Sequence, residues 1–202
     1  MAATPPTLRS DARRNVHRIR AAALEVFRDG GLSAPLEDVA VAAHVSKATI
    51  FNRFGGRIGL IDAVIDQLVA EEMIGVIERA RAISDVDERI RAYVGALRDL
   101  QYRLPAANAV LLRQYADSEG LMDLCRTGEA FHSQLVAQGH VAGVLADGFT
   151  ADDFHALTID NALALEHGGR PARADYDRRT AFVLGGICRP ATAGLAPLSI
   201  KG

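Results

Sequence analysis

The stretch SKATIFNRF places Lys47, Thr49 and Asn52 around the small Ala48, between the hydrophobic positions Ile50 and Phe54. Wound as a short helix, it turns Ile50 and Phe54 toward a core and leaves Lys47, Ala48, Thr49 and Asn52 pointing away. Ser46 is a good N-cap, its hydroxyl placed to accept from the backbone N–H of Ala48 or Thr49. A capped helix that exposes Lys, a small residue, Thr and Asn at its N-terminal end is built to enter a DNA major groove, where such groups reach base edges.

Other chemistry finds less support. His132, His140, His155 and His167 are not spaced to put two ligands on one helical turn as a metalloprotease motif would. Asp152 and His155 stand three apart, with Glu166 and His167 further on, but Asp152 and Asp153 read better as first-turn partners of a helix dipole. The chain has no nucleophile elbow, phosphate-binding glycine loop or paired-cysteine motif, so we expect no enzyme, no metal and no cofactor. Cys125 and Cys188 read as inert core thiols.

The elements that must position the polar helix are helical too. Val16, Ile19, Ala23, Val26 and Phe27 fall on one face of a helix from about 12 to 29 that stops at Gly30-Gly31. Pro35 opens a short helix with Glu37 and Asp38 in its first turn. Ala40, Ala42 and Ala43 are small enough for it to cross the next helix steeply, with Val45 plugging the corner. A long helix follows over about 57–82, then segments near 86–103, 106–117, 119–146 (with Gly128 and Gly139 as candidate breaks), 151–167 and 175–188. The spacing therefore predicts an all-α fold of about nine helices, ending in a loose tail, RPATAGLAPLSIKG.

Residues 1–57 hold nine basic side chains against five acidic ones, although the whole chain has a net charge of -2. A basic first module on an acidic body suits nucleic acid at one end. The longest apolar runs are broken before bilayer length, and the first residues lack the apolar stretch of a secretory signal. No membrane association and a cytoplasmic location are expected.

The run AAALEVFRDGGLSAPLEDVAVAAHVSKATIFNRFGGRIGLIDAVI resembles the DNA-binding domain of TetR-family transcriptional regulators. The resemblance implies a helix-turn-helix domain at about 1–56 and a larger helical ligand-binding and dimerisation domain at about 57–202. It implies base and phosphate contacts from Lys47, Thr49 and Asn52, with Ser46 and Phe51 beside them. Ala48 would approach a thymine methyl, Arg53 and Arg57 would grip phosphates, and Arg13, Arg14 and His17, on the first helix and the arm before it, would contact the backbone. This chain departs from the family in three places. His44 stands where Gly is usual, in a turn that needs a left-handed backbone; Phe51 stands where Tyr is common; and Gly55-Gly56 replaces a Pro-containing link, which predicts a looser joint.

A DNA-binding module of this kind reads too few bases alone, so a homodimer on a double-stranded operator is implied. The last two long helices would supply the interface, with Phe154, Leu157, Asn161, Leu165, Phe182, Val183 and Ile187 as exposed candidates, each of which could equally face its own core. The resemblance also implies a small-molecule ligand among the middle helices, with Tyr93, Leu97, Tyr102, Leu112, Tyr115, Met122 and Phe131 as lining candidates and Arg113 or His132 to orient it. The function expected is a repressor released by that ligand. The alternative is a helical ligand-binding or protein-interaction domain with degenerate DNA binding.

Overall fold

A computed structural model describes the backbone of residues 6–188 and the side chains of residues 13–188. The tail expected from residue 189 lies outside the described residues. The first helix, α1 (Pro6–Gly30), begins earlier than its apolar period suggested, so Arg13, Arg14 and His17 all stand on a helix and not on an arm. Ile19, Ala23 and Phe27 are fully buried on its inner face. Next come α2 (Leu36–Ala42) and α3 (Lys47–Phe54), and then a continuous rod made of α4 (Arg57–Ile65), a π-helical turn (Asp66–Ala70) and α5 (Glu71–Arg81). Counting that rod once, the described residues form nine helices.

The body is built from α6 (Val86–Arg103), α7 (Pro105–Leu111), α8 (Glu119–Ala142), α9 (Ala151–His167) and α10 (Arg173–Ile187). The helix α7 is shorter than expected, because Arg113 takes a left-handed φ of 50° and the chain turns there. Neither Gly128 nor Gly139 breaks α8; both are buried within it. The apolar stripes of α4, α5, α6 and α8 close on one continuous core that also takes in α1, α2 and α7. Among the described residues the only extended pairing is an isolated bridge between Leu145 and Cys188. No described helix is long and apolar enough to cross a membrane.

Buried polar side chains lock the helices of the body in register. Gln101 of α6 donates to the Thr158 carbonyl at 3.0 Å and accepts from Asn161 at 2.8 Å. The Asn161 amide also reaches the Tyr176 hydroxyl at 2.9 Å, which donates to the Arg98 carbonyl at 2.7 Å. Bonds of this kind contribute little net energy when made but are costly when broken, so the network fixes one packing of α6, α9 and α10.

Gly139 marks the tightest crossing on α8: a Cβ there would stand 2.5 Å from Leu145 Cδ1 and 2.9 Å from Ile90 Cδ1. Gly139→Ala is expected to destabilise the protein by about 1–3 kcal/mol through overpacking, read as a lower urea midpoint with an unchanged slope.

Candidate nucleic-acid interface

The helix α3 has eight residues, too few to be stable alone in water. It is held by its inner side. Ile50 is completely buried, Phe54 is packed against the core, and the Ser46 hydroxyl accepts from the Thr49 N–H at 3.2 Å. The turn before it is a Schellman closure of α2: Val45 N–H reaches the Ala40 carbonyl at 2.9 Å and His44 N–H reaches that of Val41 at 3.0 Å. His44 has φ 51°, the left-handed geometry expected at this position. Ala40 and Ala43 are buried at the crossing, whereas Ala42 faces solvent and takes no part in it.

The link after α3 corrects one expectation. Gly55 has φ 74° and caps α3 with its N–H on the Phe51 carbonyl, and Gly56 has φ 105° and ψ −151° as N-cap of α4. A side chain at Gly56 would collide with the Phe51 ring, at 2.9 Å from Cε1. The two glycines therefore form a close-packed corner under Phe51, not a looser joint.

This framework leaves Ser46, Lys47, Ala48, Phe51, Asn52 and Arg53 exposed on the outer side of α3, with Thr49 half-buried and its hydroxyl 2.9 Å from that of Ser46. Arg13, Arg14 and His17 are exposed on α1. Lys47 makes an ion pair with Glu37 of α2, which holds the Glu37 carboxyl below its ordinary value. Both partners are solvent-exposed, so a phosphate can replace the carboxylate at small cost. Arg57 is placed differently: its guanidinium donates to the Leu32 carbonyl in the α1–α2 turn. The Tyr115 hydroxyl donates to the same oxygen at 3.0 Å, tying the helix-turn-helix to the body.

The residues expected around a ligand do not line a single cavity. Tyr93, Phe131 and His132 meet in the core, with the Tyr93 hydroxyl 2.9 Å from His132 Nε2 and ring centroids of Tyr93 and Phe131 at 4.8 Å. Leu97 faces a void of about 20 Å³ beside Phe154, Leu157 and Val183. Arg113 and His132 border one of about 10 Å³ with Met73, Cys125 and His155. Leu112 and Met122 are half-buried, and Tyr102 donates to the Pro171 carbonyl at 2.9 Å, away from the others.

His155, weighed in the sequence only as a metal-ligand partner of Asp152, lies instead beside His132. Its Nδ1 and that of His132 are buried without a hydrogen-bond partner. His155 Nε2 lies 3.8 Å from Glu129, which also pairs with Arg113. Burial, reinforced by His155, pushes the His132 imidazole down to about 4.

Of the interface candidates, Phe154, Asn161 and Ile187 are buried within the protomer, which corrects their expected exposure. Phe154 stacks on His132 at 4.5 Å. Leu157, Leu165 and Val183 are half-buried, and Phe182 is 72% exposed. Leu163, which sequence reasoning missed, joins it as an exposed apolar residue on α9. Cys125 and Cys188 are free and buried. Among the described residues no three of His, Cys, Asp and Glu come together as a metal site needs.

Two outcomes follow from this geometry. Gly56→Ala forces a side chain into a backbone region essentially reserved for glycine and is expected to cost about 1–3 kcal/mol, seen as a lower melting temperature. His132 stays neutral when folded but gains a proton when unfolded, so stability falls as pH drops from the ordinary 6.5 to about 4. The loss attributable to His132 is of order 3 kcal/mol; His132→Gln should flatten the fall in unfolding free energy over that window.

Residues 19–64 match the family model for bacterial regulatory proteins of the tetR family. No curated protein matches the chain. Solved structures share its fold. A TetR-family transcriptional regulator from Agrobacterium tumefaciens superposes with TM-score 0.62 at 18% identity, covering 88% of this chain and 100% of that one. The ketosteroid transcriptional regulator KstR2 of Mycobacterium tuberculosis gives 0.61 at 17%, covering 88% and 95%. A TetR/AcrR-family regulator from Thermobifida fusca gives 0.61 at 23%, covering 86% and 97%. At these identities the structural likeness speaks for the fold, and the sequence match speaks for the first module. By that match residues 19–64 are a helix-turn-helix module of the bacterial tetR regulatory type, and the chain as a whole has the fold of TetR-family regulators.

Proposed function

We propose that this protein is a homodimeric repressor that binds a palindromic double-stranded operator and leaves it when a small molecule binds. In this reading residues 1–56 bind DNA, residues 57–202 bind ligand and dimerise, and the protein acts in the cytoplasm without catalysing a reaction. The observation that carries it is the outer face of α3. Lys47, Ala48, Asn52 and Arg53 are exposed there, while Ile50 beneath them is fully buried. Arg13, Arg14 and His17 extend the basic surface along α1.

An eight-residue helix is roughly 12 Å long and meets only a few base pairs, so specificity calls for two copies. Phe182 and Leu163 are exposed apolar residues on α10 and α9, and Gly185 and Gly186 leave open space for a close helix approach. Leu157, Leu165 and Val183 border the same helices.

Support for a ligand comes from the core. Two imidazole nitrogens are left unpaired there among Met73, Leu111, Leu124 and Cys125, and unpaired buried polar atoms are costly. The space beside them, about 10 Å³, holds a water at most. A ligand must therefore part α5, α7, α8 and α9 to enter. Since α7 leads into Tyr115 and α4 carries Arg57, both fixed to Leu32, parting them moves the helix-turn-helix. Ligand and operator then oppose each other by linkage.

The test is recovery of bound fragments from genomic DNA by the purified protein, followed by titration of the fragment at several salt concentrations. An inverted repeat is expected. Lys47→Ala and Arg53→Ala should each weaken binding and reduce the salt slope by about 1. Asn52→Ala should relax base preference at one position, by about 1–3 kcal/mol of discrimination. Folded dimer that enriches no sequence would instead assign the chain to the alternative, a helical ligand-binding or protein-interaction domain with degenerate DNA binding.

A further inference from the structure

The helix α10 packs on α6, and α9 packs on α6, α7 and α8. Between α9 and α10 this leaves a groove floored by α6. Its inner end is the void of about 20 Å³ beside Leu97 and Phe154, and its outer part is a cleft of about 220 Å³ that reaches Leu165, Pro171 and Arg179. Arg98, Leu157 and Val183 border both parts.

Arg98 is the polar group that the groove displays. Its Nε donates to the Thr180 hydroxyl at 2.9 Å, and its guanidinium lies over the Tyr176 ring, 5.1 Å from the centroid. Those contacts fix the fork and leave both Nη atoms spare. Neither has a hydrogen-bond partner among the described residues, and neither is sealed from solvent. No described carboxylate pairs with Arg98, and burial pushes its guanidinium below the ordinary value. Arg91, Arg103 and Arg173, each bonded to a carboxylate, are held above theirs. A half-buried charge without a counter-charge is costly, and an anion that reaches it relieves the cost.

The other polar groups of the groove are occupied or stand at its mouth. Asn161 and Tyr176 are bonded to each other. Arg179 and Asp160 are exposed, and neither forms an ion pair among the described residues. Two arginines against one aspartate leave a single surplus positive charge, between walls made by Leu157, Ala164, Leu165 and Val183. That combination suits one negative charge on an apolar body. A planar carboxylate meets a guanidinium fork with two parallel bonds, whereas a phosphate would bring a second charge against an apolar wall.

We propose that the groove between α9 and α10 is a binding site for a small organic carboxylate. The carboxylate accepts from the Arg98 Nη atoms with Arg179 beside it, and the apolar part of the ligand lies along Leu157 and Val183. The site is separate from the histidine core and from α3. Leu157, Leu165 and Val183 also edge the surface offered above to a second copy, which is the competing occupant.

The experiment is isothermal titration of the full chain, without DNA, with hexanoate, octanoate and benzoate, each compared with its alcohol. At least one carboxylate should bind saturably with one site per chain, and at least tenfold more tightly than its alcohol. Arg98→Gln should weaken that binding at least tenfold, the size of a charged hydrogen bond. Because Arg98 also braces Thr180 and Tyr176, its melting temperature is checked, and Arg179→Gln, at an exposed position, gives a second reading with a loss of at least threefold. The proposal is overturned if none of the three carboxylates binds saturably, which leaves the groove to a second copy, or if the alcohols bind as well. It is equally overturned if Arg98→Gln folds and binds undiminished or, should that variant not fold, if Arg179→Gln binds undiminished. Since no operator is present, failure here leaves the DNA-binding reading standing, and failure to find an operator leaves this site standing.

Discussion

A helix of eight residues cannot hold its own shape in water, because nucleation uses up most of what a few backbone bonds return. Everything exposed on α3 therefore depends on what is hidden beneath it. Ile50 provides the burial, Ser46 and the left-handed Gly55 close the two ends, and the Schellman turn at His44 sets the angle of approach. Because those jobs fall to the inner side and the ends, Ala48 and Asn52 are left without a structural duty, and Lys47 has only an exposed ion pair with Glu37. Polar residues on a rigid element are what base reading requires.

The same economy governs how the module meets the body. The Leu32 carbonyl lies in a turn, where it has no helical partner, and it receives both the Arg57 guanidinium and the Tyr115 hydroxyl. One backbone oxygen thus joins the α1–α2 turn, the start of α4 and the turn after α7. Further along the rod, Asp62 accepts from Ser118, the N-cap of α8. Gly120 lies so close that a Cβ would be 3.0 Å from Ile65. A rearrangement of α7 or α8 has no soft element in which to dissipate before it reaches α4, and packed cores shift between discrete arrangements more readily than they deform.

Much of the fold was legible because helical period and caps are local. The limits of α6 and α9 follow from Asp85 and Thr150, each accepting from a backbone N–H three residues on, and from the loops beyond. The recognition helix was legible for the same reason. The π-helical turn at Asp66–Ala70 was not, since one extra residue per turn leaves the apolar stripe almost unchanged. Periodicity also says that a face is covered without saying by what. Phe154, Asn161 and Ile187 have the spacing of an interface, yet they cover the protomer's own α6 and α8, and only the three-dimensional packing distinguishes the two. Arg57 shows the same ambiguity for charge: a basic residue at a helix start suits an anion, and here a backbone oxygen supplies the partner.

Two kinds of buried polar group coexist in the body, and the contrast between them is informative. Gln101, Asn161 and Tyr176 satisfy one another and nearby carbonyls, so they specify the packing of α6, α9 and α10. His132, His155 and Asn108 each retain an atom with no partner. Apolar side chains of similar size would pack these positions at no such cost, so stability alone gives no reason for polar groups there. The residues that carry them border two different spaces, one enclosed by α5, α7, α8 and α9 and one beside the Leu32 turn. Under the proposed function, in which operator affinity responds to a second molecule, the protein needs places where occupancy changes the energy of one arrangement over another. An unsatisfied polar atom beside a joint between helices is such a place, since filling it favours the arrangement in which it is filled.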